Sequence, residues 1–346
     1  MKKLILLLII PLLGFGQSKQ DSINAGKLID TWIDNRNVSF LLDTMMTYGI
    51  IDLNQEDAFA KNVHHINSTI TENELLYDQS TMNLISGKVY DVHKNGKLSF
   101  INVYKNGELE GISRGWHENG NQDFITSWKK NKQHGPQKVW YENGNLCLKS
   151  QFKKGDRDGE YIDWYENGVL KSTVSSFKKG KMNGEYNLYY QENEQLQLRQ
   201  QYKNGLLFGE MTHFYKNGQL EMIGSFKNDE KEGIHTFYYS NGSIEEISSW
   251  YNGKANGSYK SFYESGQLKQ QGEYINGKEN GYWKSYYENS QLMLEGHYVD
   301  GEPNGIWKYY YESGILAVED YYENNEIVSQ KCWNENRQEI DCDSIF

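Results

Sequence analysis

Apolar and polar positions along residues 83–327 follow a pattern that returns every 24 residues. Counting from the turn residue Gly266, an aromatic stands four before (Phe262) and a leucine two after (Leu268). A second aromatic lies eight after (Tyr274), and a second turn glycine eleven after (Gly277). The equivalent turn residues are Gly96, Gly120, Gly144, Gly168, Glu194, Gly218, Gly242, Gly266, Ser290 and Gly314; the single break, 168 to 194, spans 26 residues, one extra on each side of Gly184. The preceding aromatic recurs as Trp116, Trp140, Trp164, Tyr190, Phe214, Tyr238, Phe262, Tyr286 and Tyr310, with Val92 in the first copy. A fixed period of this length is the mark of a repeat architecture and outranks any shorter motif.

Each copy reads as a β-hairpin. Turn signals of two kinds alternate, Glu166-Asn167-Gly168 and Lys203-Asn204-Gly205 being examples. Asn-Gly between aromatic-rich runs is a strong hairpin signal, because glycine takes positive φ at no steric cost. Strand side chains alternate between faces. The positions four before, two after and eight after the turn have equal parity, which predicts that both aromatics and the leucine share one face. A further glycine nine before each turn (Gly257, Gly281, Gly305) predicts a bend in every hairpin. The expected fold is an all-β repeat: an elongated, curved, single-layer antiparallel meander of about ten 24-residue hairpins.

The alternation of Tyr-x-Asn-Gly, leucine, aromatic and Gly-x-x-x-Gly resembles the MORN repeat, in the bacterial variant associated with antitoxin components of YwqK type. The resemblance covers residues 83–327. It implies a hairpin-repeat fold and a role as an adaptor; such repeats serve many unrelated proteins.

The ends of the chain read differently. Met1–Gln17 (MKKLILLLIIPLLGFGQ) joins two lysines to an apolar run with small residues near its end, the pattern of a secretory signal peptide. The run is short for a membrane anchor. An exported chain is expected, in a bacterial periplasm, on the outer-membrane surface or outside the cell, with no transmembrane segment after signal removal. Residues 18–82 lack the repeat. Leu28, Ile29, Trp32 and Ile33, and again Phe59, Val63 and Ile66, have helical spacing, so a small helical cap covering the first strand is expected there. At the other end, 328–346 reads as a degenerate hairpin cap, and Cys332 and Cys342 are placed to form a disulfide in an oxidising compartment.

Composition narrows the chemistry. The formal net charge of -11 argues against nucleic acid or an anionic lipid surface as the main partner. Eight histidines are scattered; His64-His65 sits on the expected helix with its two rings on different faces, while His93 and His117 replace tyrosine at one repeat position. Cys147 reads as a small free side chain. No metal, phosphate-loop or nucleophile motif occurs, and the glutamates at 118, 142, 166, 264, 288 and 312 recur as turn residues rather than as a singular carboxylate pair. No catalytic, cofactor or metal residues are expected.

The candidate binding face is the tyrosine row Tyr141, Tyr165, Tyr215, Tyr239, Tyr263, Tyr287 and Tyr311, reinforced by Tyr259, Trp283 and Trp307. Such rings suit extended peptides or sugars. The expected function is a non-enzymatic scaffold or protein-binding surface. The alternatives are an antitoxin-like module that neutralises a partner protein and a cell-wall or glycan-binding repeat, since the units superficially resemble those of choline- and glucan-binding proteins.

Overall fold

The computed structural model describes residues 63–344. A long antiparallel meander of successive hairpins fills it, with two 3-10 turns and no α-helix among the described residues. The chain divides into two compact units: 63–170 with 177–180, and 171–176 with 181–344.

Two turn types alternate, each set by its residues. At the Gly266 type only the glycine is left-handed (φ +91°), which follows a type I turn. At the Asn276-Gly277 type both central residues are left-handed (φ +52° and +86°), the two-residue turn whose twist suits the flanking strands. Both are as the sequence predicts.

The facial assignment needs correction. Tyr286 pairs with Leu292, but Ser285 pairs with Leu294, so a one-residue bulge follows this turn of the first type. The bulge inverts parity, and the same shift recurs at Phe262, Tyr238 and Tyr310. Aromatic and leucine therefore share one face, as expected, while the aromatic eight after the turn moves to the other. There it meets the residue seven before the next turn. We call this the ring face and its opposite the open face. The interval 168–194 needs a second correction. Its extra residue on the far side of Gly184 enters the turn itself, so that Tyr189, not Tyr190, pairs with Leu196.

In the second compact unit the ring face carries a stack. Phe226 lies 5.3 Å from His235, Tyr274 5.1 Å from Trp283, Trp283 6.1 Å from Tyr298, and Tyr298 4.7 Å from Trp307, all edge-on. Edge-to-face pairs of this kind contribute about 0.5–1.5 kcal/mol beyond their burial. Ring size is matched across strands. Where the residue seven before a turn is tyrosine, serine stands opposite (Ser248 and Tyr259). Where it is tryptophan or histidine, the opposing residue is glycine. A Cβ on Gly296 would lie 2.0 Å from the Trp307 ring, one on Gly272 2.2 Å from Trp283, and one on Gly224 2.2 Å from His235.

The helical cap expected over 18–82 is not what residues 63–82 form; residues 18–62 lie outside the described residues, as does the signal-peptide segment. Val63–His65 is a strand that pairs in parallel with Lys88, Val89 and Tyr90. Ile66–Ser68 is a 3-10 turn, and Thr69–Glu72 pairs with Leu75–Asp78 as a hairpin. The physical reason is that the first repeat strand needs backbone partners as well as apolar cover, which a strand supplies and a helix does not. Leu76, Ile85 and Val89 form a buried cluster, and the Leu76 N–H donates to Gly107 O at 2.9 Å. His64 and His65 thus lie on a strand. At the far end Cys332 and Cys342 are disulfide-bonded, as the sequence suggests, and Cys332 packs with Ala317 and Val318.

Candidate functional site

The ten candidate ring residues do not form one surface. Trp283 and Trp307 are 2% and 4% exposed and belong to the ring face with Tyr259. The seven tyrosines sit instead at the hairpin tips and are half-buried. Each tip tyrosine begins a turn, so its side chain reaches toward the next hairpin. Tyr141 Oη donates to Trp164 O (2.8 Å), Tyr215 to Tyr238 O (2.7 Å) and Tyr239 to Phe262 O (2.8 Å). Tyr263 donates to Tyr286 O (2.7 Å), Tyr287 to Tyr310 O (2.8 Å) and Tyr311 to Trp333 O (2.9 Å). Tyr165 occupies the same turn position, with its N–H bonded to Val169 O. Tyr190 joins the row through Phe214 O at 2.7 Å despite its longer turn.

The histidines that replace tyrosine make the same contact: Nε2 of His93 lies 2.7 Å from Trp116 O and that of His117 2.9 Å from Trp140 O. Their matching positions are thereby accounted for without a metal. Among the described residues no group of three or more His, Cys, Asp or Glu side chains could hold a metal ion.

A second row runs beside the first. Asparagine stands before several of the turn residues, where it accepts from its own turn through Oδ1 and donates through Nδ2 to the next turn. Asn289 Oδ1 takes the Gln291 N–H (2.9 Å), and its Nδ2 donates to Glu312 O (3.0 Å). Asn143, Asn217 and Asn241 do the same. These amides and phenols bind the turn to its neighbour, so the Asn-Gly signal carries more than turn geometry.

Charge reinforces the reading of the phenols as donors. Burial first, then the Cys147 thiol, pushes the Tyr141 hydroxyl up to about 12. Burial and the Glu279 carboxylate do the same to Tyr274, also to about 12. These groups remain protonated at neutral pH. Cys147 is a free, partly exposed thiol at the bulge position.

The open face of the second unit is where large apolar side chains remain uncovered. Ile234, Tyr282 and Ile306, all eight before their turns, are 65%, 76% and 52% exposed. They stand opposite Ser249, His297 and Tyr321 across the strand pair. Tyr251, Ile275 and Val299 add an exposed parallel row near the two-residue turns. The sequence reading missed these positions because one hairpin in the series carries serine there, Ser258, and another glutamate, Glu210. The clue available was that hydrophobic residues returned in the last copies at a position expected to be polar.

Family comparison matches the model described as "MORN repeat variant" at residues 133–154, 157–179, 209–228, 231–250, 255–276, 279–300 and 303–324. No curated protein matches the sequence. Among solved structures, the TcdB2-TccC3-Cdc42 crystal structure matches at 12% identity and TM-score 0.16, over 68% of this chain and 15% of that one. The Photorhabdus luminescens Tc holotoxin pore matches at 12% identity and TM-score 0.17, over 75% and 14%. A porin-like protein from Bacteroides uniformis matches at 8% identity and TM-score 0.15, over 66% and 87%. The chain thus spans about one seventh of the length of the first two of these chains, and likenesses at these TM-scores decide nothing about its function.

Proposed function

The chain belongs to the MORN repeat variant family, and from that premise we propose that it is an exported, non-enzymatic repeat scaffold that binds another protein through the open face of residues 181–344. One observation carries the reading: Ile234, Tyr282 and Ile306 recur at one repeat position, and each residue is more than half exposed. Ordered apolar exposure is a mark of an interaction surface rather than of scattered surface hydrophobes. The rest of the repeat supports it by subtraction, since the tip tyrosines and the ring stack are committed to holding hairpins together. Export rests on the Met1–Gln17 pattern.

A glycan platform has less support, because the indoles best suited to stack on sugar, those of Trp283 and Trp307, are buried. The test is recovery of bound protein from the native envelope by the mature chain and by a Tyr282→Asp, Ile306→Asp variant. Both sites are exposed, so the variant is expected to keep its far-UV circular dichroism and lose its partner. Unchanged recovery, or retention on purified wall polysaccharide instead, would refute the reading.

A further inference from the structure

Among the described residues, the strand Glu326–Trp333 is paired on one side only over most of its length. It runs against Leu316–Glu323. On its other side Glu339–Ile340 reaches just Cys332 and Trp333, after which the chain turns away into Cys342–Ser344. The equivalent strand of an earlier hairpin, Lys278–Tyr286, is paired along both sides, with Leu268–Ile275 and with Leu292–Val299. Six successive residues, Glu326 to Lys331, are exposed. No described strand covers them. An open edge of this kind templates the addition of another strand.

We propose that this edge pairs with the same edge of a second copy of the chain. The pairing is antiparallel about a two-fold axis between Val328 and Ser329. It sets Glu326 opposite Lys331 of the second copy, twice by symmetry, and Ile327 opposite Gln330 of the second copy.

Face geometry selects that register. A two-fold axis perpendicular to a sheet preserves its faces, so residues brought opposite each other must already lie on the same face. In a regular strand Glu326 and Lys331, five apart, would not. Here Tyr322 pairs with Ile327 but Tyr321 with Ser329, a one-residue bulge at Val328. Glu326 therefore stands opposite Glu323 and Lys331 opposite Glu319. Glu319 and Glu323 are four apart in one strand and share a face, so Glu326 and Lys331 share it too. Sliding the register by one residue loses both charge pairs and sets side chains of opposite faces against each other.

A six-residue strand pair is a small interface, so reversible, concentration-dependent association is expected. Sedimentation velocity of the mature chain over a wide concentration range should show a mass rising toward twice that of one chain. Glu326→Lys alone and Lys331→Glu alone each place like charges opposite each other at both ends and should remain monomeric. An equimolar mixture of the two should associate, because each then meets its complement, and the double exchange in one chain should restore self-association. Circular dichroism identical to that of the parent confirms that each variant is folded. A parent that stays monomeric throughout overturns the proposal. So does a dimer that survives in both single variants, or a mixture that fails to pair.

Discussion

Gly296 and Trp307 offer the sharpest test of how the hairpins are held in register. A Cβ at 296 would lie 2.0 Å from Trp307 Cδ2 and 2.3 Å from Cε2. Ordinary carbon–carbon contact needs roughly 3.5 Å, so Gly296→Ser must push the indole back by about 1.5 Å. The ring has little room to retreat: it is 4% exposed and has Tyr298 at 4.7 Å and Tyr322 at 6.4 Å. Overpacking of this kind costs about 1–3 kcal/mol. Part of the edge-on aromatic energy, about 0.5–1.5 kcal/mol per pair, is lost with it. Gly296→Ser should therefore destabilise by roughly 2–3 kcal/mol. Trp307→Tyr alone leaves a gap over the glycine and should cost about 1–2 kcal/mol, less than full truncation of a tryptophan. The double variant rebuilds the Ser248–Tyr259 pairing that the chain already uses, so its cost should fall short of the sum by at least about 1 kcal/mol. Urea unfolding followed by far-UV circular dichroism measures all three. Because arrays of this kind open hairpin by hairpin, amide exchange along Leu292–Val299 should be read alongside. Additivity within about 0.3–0.5 kcal/mol would refute the size-matching argument.

Three further outcomes follow from the same geometry. Tyr287→Phe removes the 2.8 Å bond to Tyr310 O and should cost about 0.5–1.5 kcal/mol, with faster amide exchange confined to the turn after Tyr310; unchanged exchange there would count against a holding role for the phenols. Asp320 is buried opposite Gln330, and burial raises its carboxyl above the unfolded value of 3.8, opposed by the Gln330 hydrogen bond. The folded chain thus keeps that proton to higher pH than the unfolded one, so the contribution of this one group to stability is fullest below 3.8 and is lost as pH rises through the folded value. Asp320→Asn should raise the melting temperature at neutral pH, with the gain shrinking below pH 3.8; an equal gain at both would contradict this. Replacing Cys332 and Cys342 by alanine, which opens a loop of sequence separation 10, should cost about 2–3 kcal/mol and release the Glu339–Ile340 amides to exchange; protection that survives the replacement would show that the cap holds without its bond.

Hairpins, turn types and the terminal disulfide were legible because each depends on local residues: Asn-Gly pairs, a 24-residue return, two cysteines flanking a short loop. The faces were not. Parity from the turn to Tyr298 is broken by a bulge at the third position after the turn, which holds Ser99, Asp123, Cys147, Lys171 and Met293 in different copies and so gives no signature. The role of the tip tyrosines was hidden for another reason. Their acceptors are main-chain carbonyls, present whatever the residue, so only the donors left a trace in the sequence. The glycine that faces each tryptophan was in plain view, eleven residues ahead of it at 272 and 296, but comparing columns across hairpins rather than reading along them was needed to notice it. Val63 and Ile66 misled because spacing by three fits a short strand running into a 3-10 turn as well as it fits a helix.

The two rows of bonds between neighbouring tips also constrain how such a chain can change its length. A single residue gained in a strand would carry a phenol past its carbonyl and break the correspondence with everything downstream. The interval between Gly168 and Glu194 shows what a tolerated gain looks like: one residue in Leu170–Lys178 and another inside the turn from Tyr190 to Gln195, where Tyr190 and Asn193 find their acceptors again. Growth by whole hairpins leaves each link intact. Length in this molecule is therefore quantised, and a lineage can lengthen or shorten it by copying or dropping complete modules far more readily than by insertion of one amino acid at a time.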